Sequence, residues 1–208
     1  TEIFDPKTRT FLAGPTLSAA RASHAAAVVP DGRVLVIGGE GRADTEWVDV
    51  RGQASTVEFG PPLAGRRDDH RATRLLDGRI LVTGGQGASG RSLATAEILD
   101  TLDAASFRLL PALMGSRRAD HEAVRLPSGQ VLVLGGEDDP GDGSGDVILT
   151  TVEVFEPATE TFTALPPLQV GRDDHRAMRL LDGRVLVTGG ANLASTASVA
   201  DCEAWTAR

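Results

Sequence analysis

One segment recurs four times along the chain, and this constrains the fold more than any other feature. It reads HAAAVVPDGRVLVIGG from His24, HRATRLLDGRILVTGG from His70, HEAVRLPSGQVLVLGG from His121 and HRAMRLLDGRVLVTGG from His175. In every copy the histidine stands 14 residues before the first glycine of a pair, and successive histidines are 46, 51 and 54 residues apart. A unit of this length cannot bury its apolar face alone, so such chains build one supersecondary unit repeatedly and stack the copies.

Each copy reads as four short strands. The first runs from the histidine towards a turn at Asp31-Gly32, Asp77-Gly78, Ser128-Gly129 or Asp182-Gly183. Asp-Gly between apolar runs predicts a two-residue hairpin with positive φ at both central residues. The second strand (34–37, 80–83, 131–134 and 185–188) is rich in β-branched and aliphatic residues, which predicts burial on both faces. The Gly-Gly pair ends it. A third strand is read at 96–99 and 152–155. The turn from Glu156 to Thr159 leads to a fourth at 161–165, and Pro-Pro linkers follow at Pro61-Pro62 and Pro166-Pro167.

The run from the Arg three residues before each histidine, through Asp-Gly, to Gly-Gly resembles the kelch repeat. TEIFDPKTRTF and VEVFEPATETF resemble the second half of bacterial kelch repeats. Phe11, Phe107 and Phe162 stand where that family often has Trp, and Val57 takes the place in the first unit. The resemblance implies an all-β fold: one domain over residues 1–208, a β-propeller of four-stranded antiparallel blades with four kelch repeats. It also favours a bacterial, extracytoplasmic protein.

Residues 1–20 read as the second half of a preceding or ring-closing blade. Residues 198–205 also read as a third strand, competing with residues 2–5 for one place. The expectation is therefore a piece of a larger propeller, or chains that share a ring, in preference to closure with four blades.

Antiparallel connectivity divides the loops between two faces. The segments before the histidines lie at the same end as the loops after Gly-Gly. They read Arg21-Ala-Ser-His24, Arg67-Asp-Asp-His70, Arg118-Ala-Asp-His121 and Arg172-Asp-Asp-His175. The ligand-binding candidates are accordingly Arg67, Asp69, His70, Arg118, Asp120, His121, Arg172, Asp174 and His175. Arg can grip a carboxylate and Asp can accept from hydroxyls, so a sugar or an acidic peptide suits the ring. A feature present in every unit also suits a structural role. Arg74, Arg125 and Arg179, within the first strands, are expected to form inter-blade ion pairs with Glu97, Glu153 and Glu2. Asp138, Asp142 and Asp146, in an acidic Gly-rich loop, are weak calcium candidates, their spacing matching no EF-hand. Gly85 to Gly90 fits G-x-G-x-x-G, but no helix follows to hold a phosphate.

Composition narrows the functional classes. The formal net charge of −8 opposes binding through phosphate neutralisation, so no nucleic-acid partner is expected. No apolar run approaches a membrane span, and the single cysteine, Cys202, cannot form an internal disulfide. The chain has no Tyr, which removes the tyrosine ligands of a copper-radical oxidase of the kelch type. The expected function is a binding or scaffold domain without cofactor, recognising a protein or carbohydrate on the Arg-x-Asp-His face. The alternative is a carbohydrate-active enzyme of epimerase or mutarotase type, by analogy of fold.

Overall fold

A computed structural model describes residues 1–51, 55–100, 106–192 and 197–206. Among them the secondary structure is entirely β. The hairpin β1 (Glu2–Asp5) and β2 (Thr10–Ala13) comes first. Four antiparallel sheets follow. Sheet 1 is β3 (Ala25–Val28), β4 (Val34–Ile37), β5 (Thr45–Asp49) and β6 (Thr56–Phe59). Sheet 2 is β7 (Arg71–Arg74), β8 (Ile80–Thr83), β9 (Ala96–Leu99) and β10 (Arg108–Leu109). Sheet 3 contains β11 (Glu122–Arg125) and β12 (Val131–Leu134), then, after the side hairpin β13 (Glu137–Asp138) and β14 (Val147–Ile148), β15 (Val152–Glu156) and β16 (Thr161–Leu165). Sheet 4 contains β17 (Arg176–Arg179) and β18 (Val185–Thr188), then, after the side hairpin β19 (Ala191–Asn192) and β20 (Ala197–Ser198), β21 (Cys202–Trp205).

The inner strands pack in succession, β3 on β7, β7 on β11 and β11 on β17. No comparable packing joins β17 to β3 among the described residues, so the four sheets form an open arc. β21 holds the third place in sheet 4 by pairing with β18, whereas β1 pairs with β2. No helix among the described residues is long and apolar enough to cross a membrane.

The inner turns differ from the two-residue hairpin that Asp-Gly suggests. Val29 N–H donates to the Arg33 carbonyl at 2.9 Å, which leaves the three residues Pro30, Asp31 and Gly32 in the loop. Gly32 N–H returns to the Val29 carbonyl at 2.9 Å, and within this loop only Gly32 has positive φ, at 89°. This is a type I turn followed by one left-handed residue, for which Pro at the second position is well suited. The same closure occurs at Leu75–Arg79, Leu126–Gln130 and Leu180–Arg184.

The second strands are buried as their composition predicts: all residues of β8 and β12 are buried. In β18 alternate residues are only half-buried, because no further sheet covers that side. Three apolar clusters fill the gaps between sheets. Leu35, Ile37 and Trp47 meet Ile80, Val82, Leu99 and Phe107. Leu81, Ile98 and Leu110 meet Val131, Val133 and Phe155. Leu132, Leu134 and Val152 meet Val185 and Val187.

The glycine pairs set how closely the sheets approach. A Cβ on Gly135 (φ 62°) would lie 2.6 Å from His175 Cε1 and 2.7 Å from the Arg172 carbonyl oxygen, both in the next sheet. The second glycine donates across the same gap: Gly39 N–H to the Arg67 carbonyl at 2.9 Å, Gly85 to Arg118 at 2.8 Å and Gly136 to Arg172 at 2.8 Å. Gly189 faces open space, with nothing within 4 Å of a Cβ placed there. Both first glycines have positive φ, but only Gly135 has a neighbour. Gly135→Ala should therefore cost about 3 kcal/mol through overpacking and φ together, and Gly189→Ala about 1 kcal/mol through φ alone. Urea unfolding measures both, and equal losses would contradict this account of the sheet spacing.

Candidate functional site

The candidate residues divide into a buried set and a set at the rim, where Asp69 and Asp120 are half-buried and Asp174 is exposed. Arg67, Arg118 and Arg172 lie inside the sheets. Their side chains run back along the third strand of their own sheet, where Arg67 meets Glu97 at 2.9 Å, Arg118 meets Glu153 at 2.7 Å and Arg172 meets Glu203 at 3.0 Å. Arg21 repeats the arrangement with Glu46. Nη1 of each arginine also donates to the carbonyl of the first glycine in its own sheet: Gly38, Gly84, Gly135 and Gly189, at 3.0, 2.8, 2.7 and 2.9 Å. The other carboxylate oxygen accepts from the incoming linker: Ser18 N–H at 2.8 Å, Ala64 at 2.6 Å, Gly115 at 2.7 Å and Gln169 at 2.7 Å. One buried ion pair thus ties linker, glycine turn and third strand together.

This replaces the pairing expected for Arg74, Arg125 and Arg179. Glu97 and Glu153 are taken by arginines of their own sheets, because the linker enters beside the start of the third strand. Arg125 instead donates to the Arg74 carbonyl of sheet 2 at 2.6 Å, while Arg179 and Glu2 are exposed.

His70, His121 and His175 are buried between sheets, whereas His24 of sheet 1, which has no preceding sheet, is exposed. His121 Nε2 lies 2.8 Å from Thr83 Oγ1 of sheet 2. His70 and His175 pack their Cε1 atoms against Gly38 and Gly135. Burial and the neighbouring guanidinium hold all three below the usual imidazole range, His70 at about 3 and His175 at about 4. They are neutral packing groups at physiological pH.

Asp69, Asp120 and Asp174 remain at the rim. Each adopts a left-handed backbone, with φ of 52°, 48° and 47°, and Ser23 does the same at 52°. Short polar side chains tolerate this conformation best. It turns each N–H towards the preceding sheet: Asp69 donates to the Ser23 carbonyl at 3.0 Å, Asp120 to Asp69 at 3.1 Å and Asp174 to Asp120 at 3.2 Å. The carboxyls are thereby gathered around one opening. Burial raises Asp120 to about 7, helped by repulsion from Asp69 and Asp174. Glu137 also rises to about 7, through burial and then Asp146, Asp120 and Asp173.

Below the rim, the inner strands of all four sheets contribute to a cavity of about 320 Å³ lined by His24, Ala25, His70, Arg71, Glu122 and Arg176, among others. Glu122 Oε1 lies 3.6 Å from Arg71 and 3.4 Å from Arg176. Burial nevertheless raises its pKa. Sequence reasoning passed over these residues. The available signal was the position after each histidine, which holds Ala25, Arg71, Glu122 and Arg176 while its neighbours repeat.

The calcium candidates do not converge. Asp138 pairs with Arg117 at 3.0 Å, Asp142 accepts from Ser144 N–H at 2.9 Å within its own turn, and Asp146 is exposed. Among the described residues no group of three or more His, Cys, Asp or Glu side chains is arranged to hold a metal ion.

No protein-family model and no curated protein matches this sequence. Among solved structures, one titled "Structure of YjhT" superposes with a TM-score of 0.71 at 15% sequence identity, over 85% of this chain and 59% of that one. The likeness shows a shared all-β fold. The chain spans less than two thirds of that protein's length.

Two outcomes are expected. Arg118→Ala leaves Glu153 buried and uncompensated, so it should cost about 3–5 kcal/mol; a stable Arg118→Ala protein would return that arginine to the ligand candidates. The second concerns pH. The folded-state pKa of Asp120 lies above that of a free Asp, so its contribution to stability is complete below about pH 4 and is lost as pH rises through 7. The histidines act oppositely: their contribution is present above about 6.5 and is lost as pH falls towards 3–4. Between pH 5.5 and 8.5 the melting temperature of Asp120→Asn should therefore rise relative to the wild type. Parallel profiles would disprove the shift.

Proposed function

We propose that the chain is an arc of kelch-type β-propeller that acts as a non-enzymatic binding module, taking its ligand at the channel mouth framed by Asp69, Asp120 and Asp174. The observation that carries this reading is the contrast between two positions in the same strands. The histidine is identical in every repeat and is buried wherever a preceding sheet covers it, at His70, His121 and His175. The next residue takes three identities over the four sheets, Ala25, Glu122 and Arg at 71 and 176, and lines the cavity. Fold-wide requirements produce the first pattern; recognition of an asymmetric ligand produces the second.

The chemistry of the opening selects among ligands. With Arg67, Arg118 and Arg172 committed to Glu97, Glu153 and Glu203, the rim presents carboxylates, and an acidic peptide loses its expected grip. Hydroxyl-rich carbohydrates and proteins presenting Lys or Arg fit, since carboxylates accept hydrogen bonds from both. The enzymatic alternative is favoured by the position of Asp120 between Asp69 and Asp174, where burial and their charges raise its pKa to about 7, a value that suits proton transfer near neutral pH.

A glycan array and a protein-interaction screen, run beside the Asp69→Asn/Asp120→Asn/Asp174→Asn and Glu122→Gln variants, test the reading. Binding should fall at least tenfold in both variants with the fold retained. A partner that maps instead to the Asp31, Asp77 and Asp182 turns would refute the face assignment. Turnover of a bound sugar, abolished by Asp120→Asn, would establish the enzymatic alternative.

A further inference from the structure

Three arginines on the inner wall of the arc lack an acidic partner. Arg74, Arg125 and Arg179 close β7, β11 and β17 at one register level, opposite Ile80, Val131 and Val185. Successive inner strands pack on one another, so the three positions lie side by side. They stand at the ends of these strands nearest the inner turns, away from Asp69, Asp120 and Asp174. Arg125 is drawn against β7, where its Nη1 donates to the Arg74 carbonyl at 2.6 Å.

Arg74 and Arg125 are half-buried, and among the described residues they are the only arginines not fully exposed that form no ion pair. Nε of Arg74 is buried without a hydrogen-bond partner. The carboxylates above and below them are committed. Towards the mouth, Glu122 lies between Arg71 and Arg176. Towards the turns, Asp77 pairs with Arg79 and Asp182 with Arg184. The turn of sheet 3 has Ser128 in place of Asp, bonded to Gln130. Sheet 1 offers only Val28 at this level. Sheets 2 and 3 each have a described sheet on both sides, so these two arginines sit in the interior of the arc.

A cation partly withdrawn from water without a counter-charge is costly. The chain carries two on adjacent strands, although its formal net charge is −8. We propose that this level of the inner wall is an oxyanion site, in which Arg74 and Arg125 hold a phosphate group and Arg179 extends the site at its exposed end. A guanidinium presents paired donors that match two oxygens of one oxyanion. Two guanidiniums balance a dianion, which favours phosphate over a single carboxylate. The site lies at the other end of the inner strands from the carboxylate mouth, and it is independent of the reading of that mouth.

Isothermal titration calorimetry of the unaltered chain with inorganic phosphate in chloride buffer tests this. Saturable binding of one phosphate per chain is expected, with acetate at least tenfold weaker. Glycerol phosphate should compete for the same site, and the tighter of the two identifies the occupant as a monoester or the free ion. Arg74→Gln/Arg125→Gln should abolish the signal. Arg66→Gln/Arg91→Gln, which removes two exposed arginines without ion pairs elsewhere, should leave it unchanged. If the first variant does not fold, Arg125→Lys, which keeps the charge and loses the fork, should still weaken phosphate binding severalfold. Absence of saturable binding, equal affinity for acetate, or equal losses in the two double variants overturns the proposal.

Discussion

The buried Arg–Glu pair is the interaction on which the arc depends. Taking two charges out of water costs several kcal/mol per ion, and their attraction offsets this only when geometry is good and the remaining donors and acceptors are used. The same ion pair forms four times, with Nε of Arg21 and Arg67 donating to the glutamate as well, whereas Nε of Arg118 and Arg172 is buried without a partner. The guanidinium spans the glutamate, the carbonyl of the first glycine and the start of the third strand, while the second carboxylate oxygen holds the incoming linker. A neutral side chain of similar size would fill the space without fixing these three backbone segments. The pair therefore sets where the linker, the glycine turn and the third strand meet, and so where each rim residue projects.

The inter-sheet contacts follow from that placement. With the arginine side chain drawn into its own sheet, its main-chain carbonyl is left facing the preceding sheet, where it accepts from the second glycine's N–H. The histidine three residues later fills the space that the first glycine leaves empty. Glycine is needed at both positions for different reasons: the first admits a neighbour's ring and carbonyl, and the second would collide with the backbone and histidine of its own sheet. Between arginine and histidine the chain must turn sharply, which accounts for the left-handed Asp69, Asp120 and Asp174. The acidic character of the mouth is in this sense a by-product of the lock, since residues that tolerate that conformation are mostly small and polar.

Much of this was legible in the sequence and some was not. The four inner hairpins, the buried second strands and the third strands at 96–99 and 152–155 are where the repeat and the apolar runs place them, because period and β-branching report burial directly. The turn type was misread, since Asp-Gly signals a hairpin but the closing pair Val29–Arg33 is decided by strand register. The arginine partners were also misassigned. Spacing shows that an Arg and a Glu recur together; whether Arg67 or Arg74 reaches Glu97 depends on which side of the sheet the linker enters. The cavity residues escaped notice because the position they share, Ala25, Arg71, Glu122 and Arg176, holds no one residue type throughout.

That last omission shows how function is to be separated from fold in a repeat protein. Repetition here marks what every sheet needs: Arg for its glutamate, His for its neighbour's glycine, Gly for close approach. A ligand that touches several sheets at once meets one residue from each and gains nothing from their being identical unless it shares the arc's symmetry. Arg71 and Arg176 flank Glu122 at equivalent positions of three successive inner strands, giving the cavity a pattern of charge rather than a uniform field. The two arginines also donate to the carbonyls of His70 and His175, at 3.3 and 2.9 Å, so the invariant lock beneath helps position them. Recognition and stability occupy adjacent residues of the same strand, which is why the symmetry of the first exposes the asymmetry of the second.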